Sequence, residues 1–164
     1  MQTYLDTSES ECDRFIPMFR HIIRLAESVL KTGPSSNGTS KITFTLESGI
    51  LPSLFLITLK CRDSGLRRRA LSLLGESYCQ EGMWEGALLA KFMKEVIDME
   101  EDLSDPHRTG RADGNLKAEG VPEEARFSDV ALAGCEDMPG WGRLVAGRYV
   151  HSSAEAVLRE RVFV

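Results

Sequence analysis

The widest apolar stripe of the chain lies between Met83 and Asp102, and it constrains the fold more than any other feature. Apolar residues recur there every three or four positions, which is typical of one face of an α-helix. So broad a face needs neighbours on two sides, which predicts a long helix packed among other elements. The stripe consists of Trp84, Leu88, Phe92, Val96 and Met99, widened by Leu89, Met93 and Ile97.

A first helix is predicted from about Glu11 to Leu30, where apolar residues also follow helical spacing. Pro17 removes a backbone donor, so we expect it to delay or kink the start of this helix. Ser8 or Ser10 is expected to cap it.

Two shorter helices are predicted between the first and the longest. The range Ile50–Lys60 is apolar almost all round, as expected for a buried helix, and Pro52 suits its first turn. Asp63 or Ser64 is expected to cap the next helix by accepting a hydrogen bond from a free backbone N–H. The inner face of that helix is predicted to be Leu66, Ala70, Leu73 and Leu74.

The C-terminal third has a different composition. Leu103–Gly120 is polar with hardly any apolar residue, which predicts a mobile surface loop. The ranges Ala125–Ala131 and Arg143–Val150 are predicted to be two short strands of a β-hairpin. After Ser152 we expect a frayed short helix or a disordered end.

These patterns predict a mainly α fold of packed antiparallel helical hairpins with a short C-terminal β-hairpin or strand pair. At 164 residues, the chain is expected to form one domain. We expect residues 1–102 to form its helical region and residues 103–120 a flexible loop. Residues 121–151 are expected to be a strand-containing segment of the same domain, and residues 152–164 a tail.

Composition narrows the classes of protein to which the chain can belong. The net charge of −5 argues against nucleic-acid binding through the whole surface. No basic, apolar signal sequence is present, and the longest apolar run, Ile50–Leu59, is too short to span a bilayer, so we expect no membrane contact. Four cysteines are too widely spaced for a zinc knuckle and too few for a disulfide scaffold, so we expect reduced thiols. They are Cys12, Cys61, Cys79 and Cys135.

Cys61, Arg62 and Asp63 form the first candidate for chemistry. A cysteine beside an arginine at a helix start can have a lowered pKa and act as a nucleophile or redox sensor. No histidine motif accompanies it, so we interpret Cys61 as a small core residue and Asp63 as the helix cap. We predict no catalytic residue, no metal ligand and no cofactor site.

Four arginines lie near the start of the third helix: Arg62, Arg67, Arg68 and Arg69. Such a cluster suits an anionic partner, and the short turn before the helix allows a helix-turn-helix reading. Acidic residues follow closely, which argues against base reading. We therefore expect Arg67 and Arg68 to point outward, solvated or paired with Asp63, Glu76 or acidic residues elsewhere.

Trp84 can anchor a ligand or partner, although its helical spacing with apolar neighbours favours a core position. The candidates for partner contact are thus Arg62, Arg67, Arg68 and Trp84. The acidic run from Asp98 to Asp102 lies at a helix C-terminus, where the helix dipole disfavours negative charge. We interpret it as a solvated helix end, with an acidic partner surface as the alternative.

The stretch from Phe44 to Glu101 resembles the C-terminal helical region of fungal zinc-cluster transcription regulators. The resemblance covers about residues 11–151 and depends on the order of its segments. An aromatic-acidic lead-in is followed by a helix opened by a proline, by Cys61-Arg62-Asp63 and by an arginine-rich helix start. Glu81-Gly82-x-Trp84 and a helix closing on paired glutamates complete the order, and Val121–Val130 resembles the closing segment of the family.

The DNA-binding part of this family is a basic segment with six closely spaced cysteines, which has no counterpart here. The resemblance therefore implies transcription regulation in the nucleus by a non-DNA-binding regulatory domain, as a fragment or truncated paralogue, without the zinc cofactor. It also implies a protein partner or self-association, and a small apolar effector. The alternative is a stand-alone helical interaction module that modulates a full-length relative, for example through inactive heterodimers. With no catalytic constellation, we expect no enzyme.

Overall fold

A computed structural model describes residues 8–32, 43–46, 49–77, 79–82, 84–104, 120–134, 142–149 and 156–163. Within these residues, four α-helices pack together, preceded by a 3-10 helix, Glu9–Phe15, and accompanied by two three-stranded sheets. The helices are α1 Ile16–Thr32, α2 Leu51–Lys60, α3 Ser64–Glu76 and α4 Gly86–Ser104. The strands are β1 Thr43–Thr45, β2 Cys79–Glu81, β3 Trp84–Glu85, β4 Asp129–Gly134, β5 Gly142–Tyr149 and β6 Ala156–Phe163.

Two apolar clusters hold these elements together. The first joins one face each of α1, α2 and α3, and the second joins α2 and α4 to the C-terminal segment. The prediction that the longest helix contacts neighbours on two sides is therefore confirmed, as is the mainly α fold class. The first cluster contains Phe19, Ile23, Leu51, Leu54, Leu73 and Leu74, and the second Phe92, Met93, Val96, Phe127, Leu144 and Ala146.

The predicted N-terminal caps are confirmed for the first and third helical segments. The hydroxyl of Ser8 accepts a hydrogen bond from the N–H of Ser10 at 3.3 Å and so caps the 3-10 helix. The α-helical geometry begins at Ile16, directly before Pro17, which agrees with a delayed start. The Asp63 carboxylate accepts from the N–H of Leu66 at 2.9 Å at the start of α3.

The start of α2 is capped from a distance. Its own N-cap residue provides no side-chain acceptor, and Pro52 stands in its first turn as predicted. Glu81, in β2, instead accepts hydrogen bonds from the N–H groups of Gly49, Ile50 and Leu51 at 2.8–3.0 Å. A Cβ atom at Gly49 would lie 2.5 Å from a carboxylate oxygen of Glu81, so a larger residue there would force the Glu81 side chain to shift.

The prediction that the longest helix begins near Met83 is wrong. Trp84 lies in β3, which pairs antiparallel with β2 through Gln80↔Glu85 and Glu81↔Trp84, and α4 begins only at Gly86. Gly82 has a φ of 58°, a left-handed value that favours glycine and allows the chain to turn before Trp84. β1 joins the same sheet parallel to β2.

The predicted C-terminal hairpin is confirmed as β4 and β5, which pair antiparallel. The expected frayed or disordered end is wrong, because β6 pairs antiparallel with β5 from Tyr149↔Ala156 to Gly142↔Phe163. Arg161 also contacts α4, lying 3.2 Å from Glu95 and 3.3 Å from Asp102, which fixes this strand beside the helix. Most of the predicted loop, residues 105–119, lies outside the described residues.

Candidate functional site

Glu100, near the end of α4, is the centre of a buried cluster of charges. Its Oε1 accepts hydrogen bonds from Arg62 at 2.8 Å and from the backbone N–H of Phe127 at 2.7 Å. Its Oε2 lies 2.5 Å from the guanidinium of Arg67. All three charged side chains are almost fully excluded from solvent, so one carboxylate pairs with both arginines where water does not screen their charges.

The two arginines reach this centre because of where α2 ends. Arg62 lies in the turn between α2 and α3, and Arg67 lies in the first turn of α3. Arg62 donates to the carbonyl of Lys60 at 2.9 Å, and Arg67 donates to the carbonyl of Thr58 at 2.7 Å. The last carbonyls of a helix lack intrahelical donors, and cations are favourable beside them. The arginines therefore cap α2 as well as pairing with Glu100.

The electrostatics of the cluster favour a charged Glu100. Burial raises the pKa of its carboxyl, but the charges of Arg67 and Arg62 and the N–H of Phe127 more than offset this effect. The pKa of Glu100 is therefore held below its ordinary value of 4.5. The carboxylate is ionised throughout the neutral pH range.

A second pair lies beside the first. Arg68 donates to both carboxylate oxygens of Glu101 at 2.8–2.9 Å, a two-pronged contact that joins α3 to α4. The side chain of Arg68 keeps 31% of its surface in solvent, whereas that of Glu101 keeps 4%.

The outward orientation predicted for Arg67 and Arg68 is wrong for Arg67 and only partly right for Arg68. Their predicted partners were acidic residues, and those partners are Glu100 and Glu101 rather than Asp63 or Glu76. The solvated helix end predicted for the acidic run is wrong at these two glutamates, since both are buried. The unfavourable helix dipole is outweighed there by direct ion pairs with α3 and with the turn before it.

Arg62, which was predicted to contact a partner, is also buried. Trp84 is half-buried in β3, where its ring meets Phe55 of α2 edge-on with centroids 5.2 Å apart. Of the four residues predicted to contact a partner, Arg68 and Trp84 thus keep the most accessible side chains. Their contact with a partner stays a prediction.

Cys61 does not have the properties of a reactive thiol. It is fully buried in the first apolar cluster, and burial raises the pKa of its thiol to about 11. A thiolate is scarce at neutral pH under those conditions, so the predicted core role of Cys61 is confirmed. Among the described residues, no three His, Cys, Asp or Glu side chains gather in a way that could hold a metal ion.

Sequence reasoning missed the part of the network that joins the N-terminal 3-10 helix to the rest of the fold. Glu9 contacts Lys60 at 2.7 Å and Arg62 at 3.4 Å, which extends the ion pairs toward the surface. Arg126, also buried, pairs with Asp13 at 2.9 Å. The one sequence signal for a buried charge network was the pair of acids at the C-terminal end of α4. Such acids need positive partners, because the helix dipole is unfavourable for negative charge there.

No helix in the described part of the chain is long and apolar enough to cross a membrane.

No family model matches the chain, and no solved structure matches it. A segment of 66 residues is 41% identical to the aspercryptin biosynthesis cluster-specific transcription regulator atnN of Emericella nidulans. The matched segment is 40% of this chain and 11% of that regulator. Along 40% of its length, the chain is thus similar to a fungal transcription regulator.

Proposed function

We propose that the chain acts in transcription regulation as a regulatory region that does not itself bind DNA. The observation that carries this proposal is the 41% identity to a cluster-specific transcription regulator over 66 residues. A protein with this role acts in the nucleus, which we propose as its location. No described arrangement of side chains gives a basis for an enzymatic reaction, and we propose none.

The orientation of the arginines supports the absence of DNA binding. A phosphate-binding helix needs basic side chains that are free to reach the backbone of the nucleic acid. Arg62 and Arg67 are instead buried against Glu100, and Arg68 is paired with Glu101. Arg69, the most exposed of the four, lies 2.6 Å from Glu27 of α1. The helix start that offered a helix-turn-helix reading is therefore neutralised by internal acids.

A protein partner is supported by an apolar face on α1. Met18, Leu25 and Val29 are about half exposed, and they lie seven and four residues apart along one side of the helix. The apolar faces of α2 and α4, in contrast, are largely buried by each other and by the C-terminal sheet. We propose that helices of a full-length regulator cover α1, since the relative extends far beyond the segment that it shares with this chain.

A reporter assay tests the proposed function. The chain is fused to an unrelated DNA-binding domain, and transcription from a promoter with the matching sites is compared with that of the DNA-binding domain alone. We expect the fusion to change reporter output in either direction. The control variant Glu100→Lys places a third positive charge in the buried cluster and should abolish the effect by unfolding the chain. Equal output from the fusion and the DNA-binding domain alone contradicts the proposal.

The second candidate, an interaction module that modulates a full-length relative, is favoured by the α1 face. Leu25→Glu places a charge on that face without touching the buried clusters, whereas Arg20→Glu changes charge on a different side of α1. We expect Leu25→Glu to abolish co-purification with a full-length regulator and Arg20→Glu to retain it. Co-purification of both variants would exclude α1 as the contact surface.

A small apolar effector, also implied by the resemblance, gains little support from the described residues. They form a cleft of about 280 Å³ between α4 and β6. Four of the six side chains that line it are charged, which does not favour a purely apolar ligand. The lining residues are Met99, Asp102, Leu103, Arg159, Glu160 and Arg161.

A further inference from the structure

The segment Ser8–Phe15, which we call the N-terminal strap, is attached to the body of the protein mainly by polar contacts. Its 3-10 helix contains no buried residue, so apolar burial contributes little to its attachment. Glu9 pairs with Lys60 and Arg62, and Asp13 pairs with Arg126. An attachment of this kind responds to a change in charge far more than an apolar contact does.

Glu123 is the second anchor of the strap. Its two carboxylate oxygens accept hydrogen bonds from the backbone N–H of Glu9 at 2.6 Å and of Ser10 at 2.9 Å. These bonds, together with the Ser8 and Ser10 hydroxyls, hold the pKa of the Glu123 carboxyl below its ordinary value despite the opposing effect of burial. A negative charge therefore already occupies the start of the 3-10 helix.

Ser10 combines access with an acidic environment. The residue is exposed, and its hydroxyl lies 2.5 Å from the hydroxyl of Ser8 and also interacts with the Glu123 carboxylate. Glu9, Glu11 and Asp13 lie within three positions of it. A protein kinase whose substrate groove carries basic side chains would bind such a segment through charge complementarity.

We propose that Ser10 is a phosphorylation site and that its phosphate releases the N-terminal strap. The kinase transfers the γ-phosphoryl group of ATP to the Ser10 hydroxyl oxygen. The new O–P bond replaces the bond between the γ-phosphorus and the β–γ bridging oxygen, ADP leaves, and the hydroxyl proton passes to a base of the kinase. The phosphate adds a charge of about −2 at neutral pH.

The release follows from competition between two anions for the same donors. The Ser10 phosphate lies on the residue whose N–H Glu123 binds, so it repels that carboxylate and can accept the same N–H itself. When Glu123 withdraws, the strap loses an anchor that no apolar contact replaces. Glu9 and Asp13 then move away from the three cations with which they pair, which are Lys60, Arg62 and Arg126.

Hydrogen exchange on the full chain with phosphoserine incorporated at position 10 tests the release. We expect the amides of residues 9–13 to exchange about tenfold faster than in the unmodified chain, while those in the middle of α4 are unchanged. Phosphoserine at position 53, an exposed position on α2, adds the same charge away from Glu123 and should leave the strap amides unchanged. Unchanged or slower exchange at residues 9–13 in the Ser10-modified chain would overturn the proposal.

Two further measurements test the site itself and the mechanism. The folded chain is incubated with ATP and an acid-directed serine kinase, and the modified residue is located by mass spectrometry, with Ser10→Ala as the control. Phosphate on Ser10 is the expected result, and its absence overturns the assignment of the site. In Glu123→Gln, the additional effect of phosphoserine at position 10 should be smaller, because its charged competitor is gone; an undiminished effect overturns the competition with Glu123.

Discussion

At the scale of single residues, Glu100 makes the contacts that connect the most parts of the described structure. It pairs with Arg62 and Arg67 and binds the backbone of Phe127, so four separate parts of the chain meet at one carboxylate. An arginine pair buried without a counter-charge is strongly unfavourable, since removing one partner of a buried pair typically costs about 3–5 kcal/mol.

We therefore expect Glu100→Gln to lower the free energy of unfolding by about 3 kcal/mol. The substitution keeps the shape of the side chain but removes the charge that both arginines need. Asp98→Asn, which removes an exposed pair with Lys94 on the same helix, should cost less than about 0.5 kcal/mol. Urea denaturation of both variants gives the comparison, and equal losses would show that the buried cluster has no special weight.

The same residue predicts a dependence of stability on pH. The pKa of Glu100 is lower in the folded chain than its ordinary value of 4.5, so the unfolded chain binds this proton first as the pH falls. The stabilisation is complete above pH 4.5 and is lost as the pH falls through the folded pKa. At pH values below 4.5, we expect the urea concentration at the midpoint of unfolding to decrease in the parent chain. In Glu100→Gln, we expect this decrease with falling pH to be less steep. A parallel decline would exclude this carboxylate as the source.

At the scale of elements, the four helices were predictable, but the starts of α1 and α4 were not. Local signals predicted Ser8 or Ser10 and Asp63 or Ser64 as caps, and the structure uses Ser8 and Asp63. The start of α4 was missed because Trp84 fits the helical period while the β2–β3 hairpin uses it as a strand residue. The last strand, β6, was missed because its pairing with β5 has no local sequence signal.

Glu81 makes the distant cap of α2 testable. Its carboxylate binds three N–H groups that α2 cannot satisfy by itself. We expect Glu81→Ala to lower the free energy of unfolding by about 2 kcal/mol, since lost caps cost up to that amount. Glu85→Ala, at an exposed position in the partner strand, is the matched control and should cost about 0.5 kcal/mol or less. Thermal unfolding measures both, and a loss no larger than that of the control would reject the capping role.

Close packing of the start of α4 against the end of α3 gives a second prediction at this scale. A Cβ atom at Gly86 would lie 2.6 Å from the carbonyl oxygen of Leu74 and against the hydroxyl of Ser77. We expect Gly86→Ala to lower the free energy of unfolding by about 1–3 kcal/mol, the usual cost of overpacking. Gly75→Ala, where a Cβ finds ordinary contact distances, should be neutral or stabilising. Chemical denaturation distinguishes the two, and no loss at Gly86 would mean that the helices can separate without cost.

At the scale of the whole molecule, the helices and the C-terminal sheet form one interdependent structure. Phe127 contributes its ring to the second apolar cluster, its N–H to Glu100 and its carbonyl to Arg62. Sequence reasoning treated the C-terminal segment as a hairpin beyond a loop. The burial of the charge cluster beneath it could not be predicted, because the helix dipole indicates that a partner is needed but not which residue provides it.

Removing residues 121–164 should therefore prevent the helices from folding cooperatively. The truncation exposes the second apolar cluster and removes the N–H that helps to hold Glu100. We expect a broad, weakly cooperative thermal transition by circular dichroism, in contrast to the sharp transition of the full chain. A sharp transition in the truncated chain would show that the helices are an independent domain.

The position of Phe127 also affects the order in which the protein is made. On the ribosome, Arg62, Arg67 and Glu100 are synthesised before Phe127 and β5. During that interval the nascent chain can form its first apolar cluster, but the carboxylate lacks its backbone donor and the second cluster lacks its C-terminal half. The second cluster and the buried charges can therefore be completed only after β5 is synthesised, and a chain stalled after α4 would present an incomplete core to chaperones and proteases.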